Sequence, residues 1–184
     1  MIKQIISFDI GITNFAFCIA EIDNNNITFK DIQKINLNCK KNNNQEILNS
    51  VLDLLEDITT KLNINNKIIV LIENQMTSVM KIIQTAVCFY YKMISRYENI
   101  DIETIYLSAK HKLNLINKYN NVFINNEIIK NDKYKQNKID SVLFTKWLLE
   151  NKYKDDKILS YYNNISKKDD ISDVFLMIIY YFEL

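Results

Sequence analysis

Residues 67–72, followed by Glu73, constrain the fold more than any other stretch of the chain. They form a continuous apolar, β-branched run that ends in an acid, the pattern of a central strand buried on both faces whose last residue emerges from the core. Three strands are expected before it, over 3–12, 14–22 and 27–37, separated by turn formers that include Asn24, Asn25 and Asn26. Their short links predict an antiparallel meander. Between the meander and the central strand, Ile47, Val51, Leu54, Leu55, Ile58 and Leu62 recur at helical spacing, which predicts an amphipathic helix over 44–62. A second helix is expected from Thr77 or Ser78, either of which suits an N-cap, to Tyr97, with apolar residues on more than one face. Residues 100–107 alternate as a further strand, and the polar, Lys- and Asn-rich stretch 108–138 reads as short helix and loop. Helical periodicity resumes over 139–150, and a strongly apolar final helix is expected over 171–182 after the polar segment 166–170. No repeat or linker interrupts the pattern, so 1–184 reads as one domain.

The chain has one Gly and no Pro in 184 residues. Loops that cradle phosphates and turns that bind dinucleotides need several glycines where the backbone meets the ligand, so Walker and Rossmann sites are excluded and no nucleotide cofactor is expected. The wealth of Asn, Ile and Lys looks like drift in an AT-rich genome. Hydrophobic residues make up 48%, enough for one ordinary core. Charged residues nearly cancel to a formal +1, so any contact with nucleic acid must come from local lysine clusters. Cys18, Cys39 and Cys88 are odd in number and widely spaced, and no signal-like segment precedes the first strand. An intracellular, reducing setting without a disulfide or zinc framework is expected. Apolar runs such as 174–182 are shorter than the roughly 20 residues needed to cross a bilayer, so a soluble protein with no membrane partner is expected.

Four acids carry the candidate chemistry. Asp9 interrupts the apolar strand IISFDIGI, where an ionised carboxylate is expensive unless a cation or hydrogen-bond donors receive it. Taken alone, it equally fits a strand-end aspartate that caps a turn, with Gly11 two residues on. Glu73 ends the second buried strand, and if the two strands are neighbours both carboxylates project from the same edge. Asp170 and Asp173, three apart at the start of the last helix, share one face near the positive end of the helix dipole. Capping alone would explain either one. Together, two strand ends and a helix start offer the several carboxylate oxygens that hard cations such as Mg²⁺ or Mn²⁺ require. Two such ions about 4 Å apart activate a water and stabilise the leaving oxygen in phosphodiester hydrolysis. His111 is the only histidine, so a histidine-rich metal cluster is excluded and a Ser-His-Asp triad is not expected; His111 is expected to be a polar loop residue.

The segments SFDIGITNFAFCIAEI, IVLIENQM and KKDDISDVFLMIIYYF, which carry Asp9, Glu73, and Asp170 with Asp173, resemble the RuvC-like Holliday junction resolvases of the ribonuclease H superfamily, and most closely the poxvirus branch. The resemblance covers nearly the whole chain. It implies an α/β, ribonuclease H-like fold with a mixed five-stranded sheet flanked by helices on both faces. It also implies a Mg²⁺-dependent endonuclease whose four acids hold two ions, with Asp9 between them and Mn²⁺ as a substitute. By the same resemblance the chain is a homodimer, through its second helix, that nicks branched DNA symmetrically in viral concatemer resolution, recombination and repair. It would work in the host-cell cytoplasm, and the virion is a second expected location. Asn74, Gln75 and Met76 follow the glutamate where the family approaches the junction crossover, so a polar contact and an apolar wedge are expected there. Lys110, Lys112, Lys133, Lys135, Lys138, Lys167 and Lys168 are candidates for the phosphate path. One departure is that Val174 and Phe175 follow the final aspartate, where bacterial members favour small residues.

Three other readings compete. The run DIGITN resembles the first phosphate loop of actin-like ATPases, but those repeat the unit in two domains and need further glycine-rich loops. A ribonuclease H-like nuclease acting on another substrate shares the same acids, since fold does not choose substrate. A non-catalytic junction binder would have freed at least one of the acids to change.

Overall fold

The computed structural model describes residues 2–40, 43–108, 110–123 and 132–183. Strands β1 (Lys3–Asp9), β2 (Phe15–Asp23) and β3 (Asn26–Ile35) form the expected antiparallel meander. After helix α1 (Asn44–Thr59), strand β4 (Lys67–Glu73) pairs parallel with β1, and after α2 (Ser78–Tyr97), β5 (Ile102–Leu107) pairs parallel with β4. The sheet order is β3-β2-β1-β4-β5, a mixed five-stranded sheet whose two acid-bearing strands lie side by side at its centre. Helices α3 (Lys110–Lys118), α4 (Lys133–Leu148), α5 (Asp156–Asn164) and α6 (Lys168–Phe182) complete the described chain.

Alternation along the strands divides the core into two layers. Ile6 and Phe8 of β1 and Ile68, Val70 and Ile72 of β4 pack with Val51, Leu55, Ile83, Val87 and Tyr91, the inner stripes of α1 and α2. Ile5 of β1 and Ile69 and Leu71 of β4 point the other way, into a layer built on α6 with α3, α4 and α5. Helix α6 buries Ile171, Ser172 and every residue from Val174 to Ile179, as expected of a helix that is apolar nearly all round. Ser7, fully buried on β1, donates its hydroxyl to the Val174 carbonyl at 2.7 Å and ties the sheet to this helix.

Several boundaries differ from expectation. β1 stops at Asp9, not at 12, because Ile10 to Asn14 form the tight link to β2; a Cβ at Gly11 would stand 2.7 Å from the Asn14 carbonyl oxygen. Thr77 takes the N-cap position of α2 but makes no side-chain capping bond. Helix α4 begins at Lys133, six residues before its apolar period becomes readable, because Asp132 caps the Lys135 amide. Of the stretch 108–138, expected as short helix and loop, 110–118 and 133–138 are helical, with 109 and 124–131 outside the described residues. His111 accordingly lies on α3, its ring edge-on to Tyr180 at 4.5 Å. A π-helical turn, Leu149–Tyr153, and α5 were not expected. With scarce glycine, left-handed backbone falls to Asn24, Asn38 and Asn99, which tolerate it well, and to Lys154 and Lys167, which tolerate it less. No described helix is long and apolar enough to cross a membrane.

Candidate active site

The register brings the first two acids together. Phe8 pairs with Ile72 across β1 and β4, so Asp9 and Glu73 follow as neighbours at the same sheet edge. By the same alternation that turns Ile5 and Ser7, and Ile69 and Leu71, toward α6, both carboxylates face that helix. Asp173 lies one turn along α6 from Asp170. Carboxylate oxygens of Asp9, Glu73 and Asp173 lie within 4.8 Å of one another. Asp170 stands outside this trio but lines the same cleft, of about 780 Å³, with Gly11, Asn14, Lys112 and Ser141 among the other lining residues.

The cluster is electrostatically strained as it stands. Burial, and then the charges of Glu73 and Asp173, hold the Asp9 carboxyl well above its ordinary range, with only Lys112 pulling the other way. Burial likewise raises Asp173 to about 6, against the pull of Lys112. Burial and the neighbouring Asp169 raise Asp170, whose Oδ2 is buried without a hydrogen-bond partner among the described residues. The converging oxygens of Asp9, Glu73 and Asp173, with the orphaned oxygen of Asp170 in the same cleft, fit a hard divalent cation, whose charge would favour the ionised forms that burial disfavours in Asp9, Asp170 and Asp173.

Lys112 belongs to this cluster rather than to a surface phosphate path. It is 8% exposed, and its Nζ lies 3.0 Å from Glu73 Oε1 and 2.7 Å from Asp173 Oδ2. Burial pulls its pKa down, but the two carboxylates outweigh this and hold it above the ordinary lysine value. A lone lysine in a polar stretch carries no mark of such a role in sequence; only the packing of α3 on α6 reveals it.

The other candidates divide by partner. Met76 is 92% exposed at the cleft mouth beside Asn74 and Gln75, whose amides bond to the Leu107 carbonyl and Gln84 Oε1. Lys110 lines the cleft and is exposed. Lys138 also lines it, but is bound to Asp169 at 2.6 Å and lies 5.1 Å from the centre of the Tyr134 ring. Lys168 gives its ammonium to the carbonyls of Asn163 and Ile165, an end of α5 that needs donors, and so is committed to structure. Lys135 pairs with Asp132 at 3.4 Å, and Lys133 is exposed near the start of α4. Lys167, with Lys138 and Lys168, borders a second cavity of about 500 Å³ whose walls include Ile139, Val142 and Ile165.

No family model matches the chain, and no curated protein matches it in sequence. Solved structures do match. The fowlpox virus Holliday junction resolvase superposes with a TM-score of 0.60 at 20% identity, over 98% of this chain and 97% of that one. Thermus thermophilus RuvC gives 0.58 at 10% identity over 98% and 95%, and RuvC from T. thermophilus in complex with a Holliday junction substrate gives 0.55 at 9% over 98% and 94%. At these identities the likeness is one of architecture: the chain has the ribonuclease H-like fold of the RuvC-type resolvases.

Proposed function

We propose that the chain is a metal-dependent endonuclease that resolves four-way and related branched DNA junctions. The observation that carries this reading is the convergence of Asp9, Glu73 and Asp173 at the edge of two parallel strands, with Asp170 and its orphaned oxygen in the same cleft, on a resolvase fold. Asp9, central to the electrostatics of the trio, would be the shared ligand, with Glu73, Asp170 and Asp173 around it. Two divalent ions, Mg²⁺ with Mn²⁺ as substitute, would activate a water and stabilise the leaving oxygen. The chain's own residues do the rest. The acids fix the reacting position, the cleft admits a phosphodiester, and Lys110 meets its backbone charge. Met76, exposed at the cleft mouth with Asn74 and Gln75 beside it, suits contact with bases unstacked at a crossover.

Symmetric cutting of a junction needs two sites, and helix α2 supports a homodimer. Its outer side leaves Ile82, Phe89 and Tyr97 exposed at 37%, 62% and 77%. We propose further that the whole of 1–184 acts as one resolvase domain, inside an infected cell, on concatemers of a viral genome. The test of the site is to change Asp9→Asn and Asp170→Asn. Each should abolish cleavage of a four-way junction in Mg²⁺ while leaving junction binding largely intact, because the acids hold metal rather than DNA. Cleavage retained by both variants would remove the assignment.

A further inference from the structure

Lys112 occupies a position that the nuclease reading reserves for something else. Its ammonium lies between Glu73 and Asp173, 3.0 and 2.7 Å from their oxygens, and these are two of the three acids whose oxygens gather within 4.8 Å. It is 8% exposed, so the contact is not an incidental surface pair. An ammonium offers only donors, so it takes up acceptor oxygens that a divalent ion would also need. Two cations sharing those oxygens repel strongly in a partly buried site. The lysine stem is a flexible four-carbon chain, and the cleft of about 780 Å³ that Lys112 lines gives it room to turn outward while its helix stays packed on α6.

We propose that Lys112 is the resident cation of the metal-free cluster. It is a positioning residue that holds Glu73 and Asp173 together without metal, competes with the incoming ion for their oxygens, and swings into the cleft when the ion binds. The inference rests on the metal-dependent reading above. Its consequence is that metal affinity is held below what the acids alone would give, in exchange for a site that stays assembled before loading.

The test uses the full chain and Mn²⁺ alone, by titration calorimetry, on the wild type, Lys112→Met and Lys112→Gln. Removing a positive charge from beside the ion should tighten Mn²⁺ binding about tenfold or more. It should also enlarge the rise in melting temperature that the ion produces. A lysine with a merely structural role would, on removal, weaken binding instead. The wild type supplies a second readout that does not depend on the variants folding. The Lys112 side-chain ¹⁵Nζ resonance, protected in the metal-free protein, should lose its protection as Mg²⁺ saturates the site. Variants that bind Mn²⁺ no more tightly, or a Lys112 signal unchanged at saturating Mg²⁺, overturn the proposal and leave the metal-dependent reading standing. A wild type that binds neither ion overturns both.

Discussion

Without metal, the ionised Asp173 works against the fold, and the size of its effect follows from its surroundings. Its side chain is 24% exposed, and burial lifts its carboxyl from 3.8 to about 6 despite the 2.7 Å contact with Lys112. An acid whose pKa is higher in the folded than in the unfolded chain favours folding when protonated. That contribution is complete below the unfolded value and is lost as pH rises through the folded one. The gap between 3.8 and about 6 corresponds to about 3 kcal/mol, lost between roughly pH 4 and 7. Other acids titrate in the same window, so the measurement is a difference. Urea unfolding of the wild type and Asp173→Asn is followed in chelator across pH 4 to 7, with Trp147 fluorescence as the signal. Asparagine cannot ionise, and the changed contact with Lys112 adds an offset that does not vary with pH. The variant should therefore gain on the wild type by about 3 kcal/mol as pH rises across the window. A difference that stays flat, or moves the other way, would refute the strained-cluster argument. Saturating Mg²⁺ at pH 7 should reverse the order, since the ion then compensates the charge.

Two further substitutions probe the scaffold. Gly11→Ala places a Cβ 2.7 Å from the Asn14 carbonyl, backbone against backbone, so the turn after Asp9 must shift; junction cleavage should fall about tenfold or more with the far-UV circular dichroism unchanged, and full activity would contradict the tight approach. Phe89→Glu, at a position 62% exposed, should change monomer stability by no more than about 0.5 kcal/mol yet shift sedimentation from dimer to monomer and abolish paired nicking; an unchanged dimer would move the interface off α2.

How much of this was legible in the chain depends on the kind of signal each residue leaves. Strands and long helices announce themselves by period, and the parity of β1 and β4 carries Asp9 and Glu73 to one face once the strands are known to be neighbours. Asp170 and Asp173 are legible through their spacing before an apolar run. Lys112, Lys138 and Lys168 look alike in sequence, yet one lies between Glu73 and Asp173, one is held by Asp169, and one satisfies helix-end carbonyls. Their roles are tertiary, set by what packs opposite. The start of α4 was hidden because its first turn is polar and held by a cap rather than by buried apolar residues. Asp170 converges less closely than its spacing implied: it lines the cleft one turn before Asp173 but stands outside the trio of Asp9, Glu73 and Asp173.

The central claim is most directly tested by a substrate panel: an immobile four-way junction, a linear duplex, an RNA–DNA hybrid and a nucleoside triphosphate, each incubated with the full chain in Mg²⁺ and in chelator. The junction alone should be cut, only with the ion, into paired nicked duplexes. Equal cutting of junction and linear duplex, or cutting that survives the chelator, would contradict it.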